Sequence, residues 1–236
     1  MQTEKPYWLA EAYTKAMTAL DTGAVARNQM CTRLTALIAH LAEIPTTATC
    51  LDFGGGHGVF ARMMRDAGYD FRWFDKYADN LYASGFEADV GAHHALVTSF
   101  EVLEHLDAVG TELEAIFGPR PDHVLVGTVL HRGFDPSWWY LMPDSGQHVA
   151  FYTRRTLQWL ADRFDYDVLV GPEYSLFRRR DLALSMLRRN VLANVLRRPQ
   201  VALDVIGLVP EIVRRRLGGS SRADADHLAL RTRSGS

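Results

Sequence analysis

The chain has 236 residues, 47% of them apolar and 11% aromatic, enough to bury one full core with an elaboration but not to argue for two independent domains. It holds no run of about 18 apolar residues, and its first residues, Met1 to Tyr13, are polar and acidic, so the expectation is a cytoplasmic protein with neither a membrane span nor a secretory leader. Two cysteines, Cys31 and Cys50, are too few for a disulfide framework or a cysteine-based zinc site and read as reduced, buried thiols. The formal net charge of −2 conceals a division: residues 1–172 carry 13 Lys and Arg against 22 Asp and Glu, residues 173–236 carry 13 against 6, giving −9 and +7. An acidic body disfavours nucleic acid as a general partner. The Arg-rich tail is open to contact with phosphates or anionic lipid, with a solvated arginine face as the plainer reading.

Residues 1–45 carry apolar side chains at helical spacing, broken at Asp21-Thr22-Gly23 and closed by Pro45, and predict an N-terminal helical prelude. Core-type alternation follows over 46–172. An apolar run ending at Asp52 meets the glycines of Gly54-Gly55-Gly56-His57-Gly58, then a helix over 59–68, a strand over 70–77 ending near Asp75, and another over 93–100. Further strands are predicted over 122–130 and 166–171, with a helix over 153–164 between them. Strands alternating with helices predict an α/β fold with a doubly wound, mostly parallel sheet. Residues 173–225 read as an Arg-rich helical insertion broken by Pro199 and Pro210, open to use as a lid, a homodimer surface or a peripheral membrane contact. A flexible linker at 218–226 and a last strand with the tail over 226–236 complete the prediction.

A strand, a glycine turn and a helix in that order let backbone approach a nucleotide and offer helix N-terminal amides to it. Asp75, 17 residues beyond Gly58 at a strand end, can accept hydrogen bonds from ribose hydroxyls. A dinucleotide dehydrogenase would want G-x-G-x-x-G, whereas this chain has G-G-G-H-G. Leu51-Asp52-Phe53-Gly54-Gly55-Gly56-His57-Gly58 resembles the D-x-G-x-G-x-G signature of class I S-adenosylmethionine-dependent methyltransferases. The resemblance spans about 48–172 and implies a Rossmann-like, seven-stranded sheet. It also implies cofactor contacts from Asp52, Gly54, Gly55, Gly56, Gly58, Asp75, Asp89 and Phe100, with Asp75 on the ribose and Asp89 on the adenine.

In Phe100-Glu101-Val102-Leu103-Glu104-His105-Leu106-Asp107, a helix would put Glu101, Glu104 and His105 on one face, at i, i+3 and i+4. Clustered carboxylates repel unless a cation neutralises them. The segment is similar to the E-x-x-E-H motif of ubiquinone-biosynthesis O-methyltransferases and of small-RNA 3′-terminal 2′-O-methyltransferases. That resemblance implies a divalent cation, magnesium or manganese first, on Glu101, Glu104, His105 and a later histidine, matched here by His148. The competing reading is a helix start lining the cofactor pocket.

Methyl transfer to a hydroxyl needs an aligned and deprotonated oxygen. His131 and His105 are the candidate catalytic side chains, and Trp138, Trp139 and Tyr140 the candidate substrate platform. The expected function is metal-assisted O-methylation of a diol-bearing small molecule, sugar or glycan. A ribose 2′-O-methyltransferase acting on RNA and a non-catalytic cofactor-binding partner protein are the alternatives.

Overall fold

The computed structural model describes residues 22–133, 135–142, 147–207 and 221–234. Helix α1 (Ala24–Leu41) begins directly after Gly23, where the glycine break was predicted. The first 21 residues of the predicted prelude lie outside the described residues. Strand β1 (Thr49–Phe53) is buried along its last four residues, the pattern of a central strand covered on both faces. Helix α2 (Val59–Asp66) and strand β2 (Asp70–Phe74) follow at the predicted places. Then come β3 (Leu96–Phe100), α3 (Val109–Phe117), β4 (His123–Gly127), α4 (Arg154–Phe164), β5 (Tyr166–Val170) and β6 (Tyr174–Arg179). Helices α5 (Met186–Arg197), α6 (Pro199–Gly207) and α7 (Ala223–Ser234) end the described chain.

The sheet order is β2-β1-β3-β4-β6-β5, with parallel pairing from β2 through β4 and antiparallel pairing of β6 to both β4 and β5. One face packs Leu34 and Ile38 of α1, Phe60 and Met64 of α2 and Leu192 of α5. The other packs Leu113 and Phe117 of α3 with Leu157 and Leu160 of α4. Successive strands leave β1 in opposite directions, β2 to one side and β3 to the other. The crevice at the carboxyl ends of β1 and β3 is therefore where an open α/β sheet receives a ligand.

Three predictions are corrected. Six strands, not seven, are present among the described residues. Beyond β2 the chain makes a single parallel bridge, Trp73 to Glu87, and turns away, because Gly85 at φ 85° and the Gly91 turn leave too short a run to propagate a ladder. The stretch over 226–236 forms no strand: Ala223–Ser234 is helical, despite the alternation of Leu228, Ala229, Leu230 and Arg231. Its Asp226 forms a two-bond pair with the buried Arg65 guanidinium, at 2.7 and 2.6 Å, and Leu230 lies against Gly85. α7 thus covers the β2 side of the sheet, where an open edge would otherwise invite pairing. The antiparallel strand comes instead from Tyr174–Arg179, inside the segment predicted as a helical insertion, so α5 and α6 follow the sheet and do not interrupt it. Pro199 does separate two helices, as the first residue of α6. Pro210 lies outside the described residues. Cys31 and Cys50 are both free and buried.

Candidate active site

The site has two halves. The first is the glycine turn between β1 and α2. Gly54, Gly56 and Gly58 take φ of 75°, 53° and 85°, the left-handed region that glycine enters without steric cost. A Cβ at Gly54 would lie 2.5 Å from Val102, whereas one at Gly56 would have nothing within 4 Å, so the turn is tight on its sheet side and open at Gly56. The amides of Gly54 and Gly55 donate to the Phe74 carbonyl at 2.8 and 3.0 Å, and the Trp73 indole donates to the Gly56 carbonyl at 2.8 Å, which fastens the turn to the end of β2.

Asp75 does the same from the acid side. Its Oδ2 accepts from Gly56 N at 2.9 Å and its Oδ1 accepts from Tyr77 N and Ala78 N, both at 2.8 Å. A carboxylate has about four acceptor positions, so capacity for about one further donor remains on Oδ2. Asp52 is buried beneath the turn. Thr98 Oγ1 donates to its Oδ1 at 3.1 Å, while its Oδ2 has no partner. Burial, opposed by the Thr98 bond and reinforced by Asp75, pushes its carboxyl up to about 7. A buried, unpartnered acceptor below an open glycine cradle fits a ligand that brings a cationic donor, such as an α-ammonium group.

The remaining cofactor candidates are arranged differently. Phe100 is half-buried, edge-on to Phe60 at 5.2 Å and to Tyr174 at 6.0 Å, as a wall between the core and the crevice. Asp89 is exposed; its carboxylate accepts from Gly91 N at 2.9 Å and its carbonyl faces His94 Nε2 at 3.2 Å, with no bond to the glycine turn or to Asp75.

The second half follows β3. The predicted helix face does not form: Glu101 has φ 54°, Val102 is also non-helical, and only Leu103–His105 makes a turn, of the 3-10 type. Left-handed backbone at a non-glycine residue is costly and concentrates at functional sites. Here it redirects the chain at the carboxyl end of β3. Convergence comes from elsewhere. Val149 N and Ala150 N both donate to the Glu104 carbonyl, at 2.8 and 3.0 Å, and the Tyr152 hydroxyl donates to the Leu103 carbonyl at 3.1 Å. These bonds sew residues 147–152 to the 3-10 turn. The Thr153–Thr156 capping box then starts α4 at that place.

As a result one ligand atom each from Glu104, His105 and His148 lies within 4.8 Å of the others. His105 Nδ1 meets the Gln147 carbonyl at 3.0 Å and His148 Nδ1 meets the Tyr140 carbonyl at 2.6 Å. A carbonyl only accepts, so both Nδ1 atoms carry the proton and both Nε2 atoms present lone pairs. Burial pushes both imidazoles down to about 4, with His105 lowering His148 further, so both are neutral at pH 7. Glu104 is fully buried. Its Oε1 accepts from the Tyr140 hydroxyl at 2.5 Å and its Oε2 has no partner. Burial raises its carboxyl above the ordinary glutamate range, against the Tyr140 bond. Neutral imidazoles oriented by carbonyls, beside a carboxylate oxygen with no donor, fit a divalent cation.

Glu101, the fourth predicted ligand, lies outside this group; its charge reaches the hydroxyls of Tyr140 and Tyr174. Of the predicted substrate platform, Trp139 is 69% exposed, Trp138 is half-buried between His131 and Phe151, and Tyr140 is buried. Tyr140 uses its hydroxyl to hold Glu104, a role that nothing in its sequence neighbourhood signalled. His131 lies on the Trp138 ring at 5.2 Å, with its backbone amide donating to the Tyr152 carbonyl.

A mainly parallel sheet with a glycine turn at its reversal point and an acid closing the second strand defines a Rossmann-like, nucleotide-cofactor-binding fold. Residues 26–170 match the family described as a methyltransferase domain, and the chain belongs to that family. Among solved structures, the 1,6-didemethyltoxoflavin N1-methyltransferase of Burkholderia thailandensis aligns with a TM-score of 0.53 at 16% identity, covering 77% of this chain and 93% of its own. The magnesium protoporphyrin IX methyltransferase of Synechocystis, with bound S-adenosylhomocysteine, aligns at 0.50 and 11%, covering 74% and 97%. Both likenesses concern the fold. A search of curated proteins found no match.

Proposed function

We propose that the protein is a metal-assisted O-methyltransferase acting on a hydroxyl of a diol-bearing small molecule, sugar or glycan. The observation that carries this reading is the unpartnered Glu104 Oε2 beside two carbonyl-oriented, neutral imidazoles. Glu104, His105 and His148 would hold the cation, with Tyr140 fixing the carboxylate from behind. A divalent ion held there would supply Lewis acidity that lowers the pKa of an acceptor hydroxyl, a chemistry suited to a vicinal diol.

The other residues align and shelter. Asp52 Oδ2 is offered to the ammonium of the methyl donor, Asp75 Oδ2 to one ribose hydroxyl, and Phe100 walls the crevice; Asp89 is the candidate for the adenine. Trp139 is the exposed face on which a sugar ring can stack, and Tyr140 meets it edge-on. An imidazole held near 4 is a weak proton acceptor at neutral pH, which favours His105 as a ligand and leaves His131 as the side chain offered for the acceptor proton.

The test is methyl transfer on a panel of sugars, catechols and ribonucleosides after exhaustive chelation, followed by add-back of magnesium or manganese. Activity that collapses in chelator and returns with metal for wild type, but not for His148→Ala, supports the reading. Full activity in chelator removes the metal. Transfer confined to nitrogen acceptors removes the O-methylation.

A further inference from the structure

Helices α5 and α6 each carry two apolar stripes. The inner one, Leu192, Val195, Leu196 and Leu203, is buried in the core. The outer one is not: Met186 and Leu187 are 69% and 75% exposed, Val201 and Val205 are 56% and 59% exposed, and Val191 is also on the surface. Leu187 and Val191 stand one helical turn apart on α5, as do Val201 and Val205 on α6. Arginines accompany them. Arg188 pairs with Glu43 at 2.7 Å, whereas Arg189, Arg197 and Arg198 meet no carboxylate among the described residues. The one acid of the two helices, Asp204, accepts from Gln200 at 2.7 Å.

We infer that this face docks the enzyme on a membrane surface carrying anionic lipid. Apolar side chains among unpaired arginines match a headgroup boundary, where the apolar groups enter the acyl edge and the guanidinium groups meet phosphates. A second copy of the chain fits poorly, because a twofold contact would set several arginines against arginines with Asp204 as the single acid of the two helices to oppose them. Nucleic acid would reward the arginines but not Met186, Leu187, Val191, Val201 and Val205.

The position of the face gives docking a consequence. The Leu196 carbonyl at the end of α5 abuts Gly171, so closely that a Cβ there could not be accommodated. In the same turn the carbonyls of Pro172 and Glu173 accept from Leu130 N at 3.3 Å and Thr128 N at 2.9 Å. Thr128 Oγ1 is in turn 3.4 Å from the Tyr140 hydroxyl that holds Glu104. The cationic end of α5 therefore lies at the sheet edge that bears the site. With Arg197 and Arg198 at that edge and Met186 and Leu187 at the other end of α5, docking lays the flank of the helix on the bilayer with one end beside the site, which suits an acceptor presented at a lipid surface. This inference stands on the exposed face and is independent of whether a cation participates in the reaction.

The experiment is co-sedimentation of the full chain with vesicles of phosphatidylcholine alone and of phosphatidylcholine mixed with phosphatidylglycerol, at low and high salt. The expected result is association with the mixed vesicles only, weakening as salt rises, and reduced about tenfold or more by Arg197→Glu with Arg198→Glu. Leu187→Asp with Val191→Asp, at surface positions, is expected to abolish association while the circular dichroism melt stays that of a folded protein. Failure of wild type to associate, or unaltered association of both variants, overturns the inference. So does a dimer in sedimentation velocity that Leu187→Asp with Val191→Asp dissociates, or RNA binding lost in the charge-reversed variant without any vesicle association.

Discussion

The two halves of the site are built on different principles. The cofactor half is local: β1, the glycine turn, α2 and Asp75 at the end of β2 all fall between Thr49 and Asp75, and their bonds run between adjacent strands. The acceptor half is assembled from three separate segments, the turn at Leu103–His105, the loop bearing Tyr140, and the stretch from His148 to Tyr152. Local construction tolerates change elsewhere in the chain, whereas an assembled half depends on each bond that joins its pieces. The halves should therefore fail separately.

The largest separation is expected from Glu104→Ala, which removes the carboxylate offered to a cation. Methyl transfer should fall by about a thousandfold, roughly 4 kcal/mol, with cofactor affinity by calorimetry unchanged. A parallel loss of cofactor affinity would mean that the halves are one unit. Asp52 gives the next effect, on stability. Its folded pKa of about 7 lies above its ordinary value of 3.8, so between these values the folded protein binds more protons than the unfolded chain. The stability gained from keeping Asp52 neutral is fully present below about pH 4 and is lost as pH rises toward and through 7. Asp52→Asn should flatten this dependence and raise the stability of the cofactor-free protein at pH 8 by up to about 3 kcal/mol, read from denaturant unfolding. Identical pH profiles for the two proteins would show that Asp52 is not held neutral.

Gly56→Val tests the cradle. The new side chain enters the open space above the turn and strains φ 53°, so cofactor affinity should weaken about a hundredfold while manganese uptake is retained. The smallest expected effect comes from Tyr140→Phe. Deleting the hydroxyl removes the 2.5 Å bond to the buried Glu104 Oε1, at a cost of about 2 kcal/mol of stability and about tenfold in manganese affinity, measured by denaturation and titration.

The same contrast decides what was legible in the sequence. Gly54 to Gly58 and Asp75 could be read because spacing along the chain is spacing in space when a strand, a turn and a helix are consecutive. A family resemblance led to the expectation that Glu101, Glu104, His105 and His148 converge; the last three lie close together, Glu101 does not, and the helix face invoked for them is absent, since Glu101 turns left-handed and breaks the periodicity. Tyr140 as a strut for Glu104 had no local signal; it depends on a loop folding back over 36 residues. At the C-terminus, alternation around Leu228 and Leu230 suggested a strand. Helix α7 prevailed through tertiary contacts that local pattern does not encode, the Arg65–Asp226 pair and the seat of Leu230 on Gly85. Conversely Tyr174–Arg179 was hidden in an Arg-rich run, although its apolar Leu176 and Phe177 serve the two opposite faces of the sheet.

The central claim is that Glu104, His105 and His148 hold a divalent ion, and manganese electron paramagnetic resonance tests it most directly. Titrated into the intact protein, Mn²⁺ should lose its free-ion signal up to about one equivalent, with His148→Ala binding at least about tenfold more weakly. A free-ion signal that persists with wild type, or uptake by the variant equal to that of wild type, would contradict it.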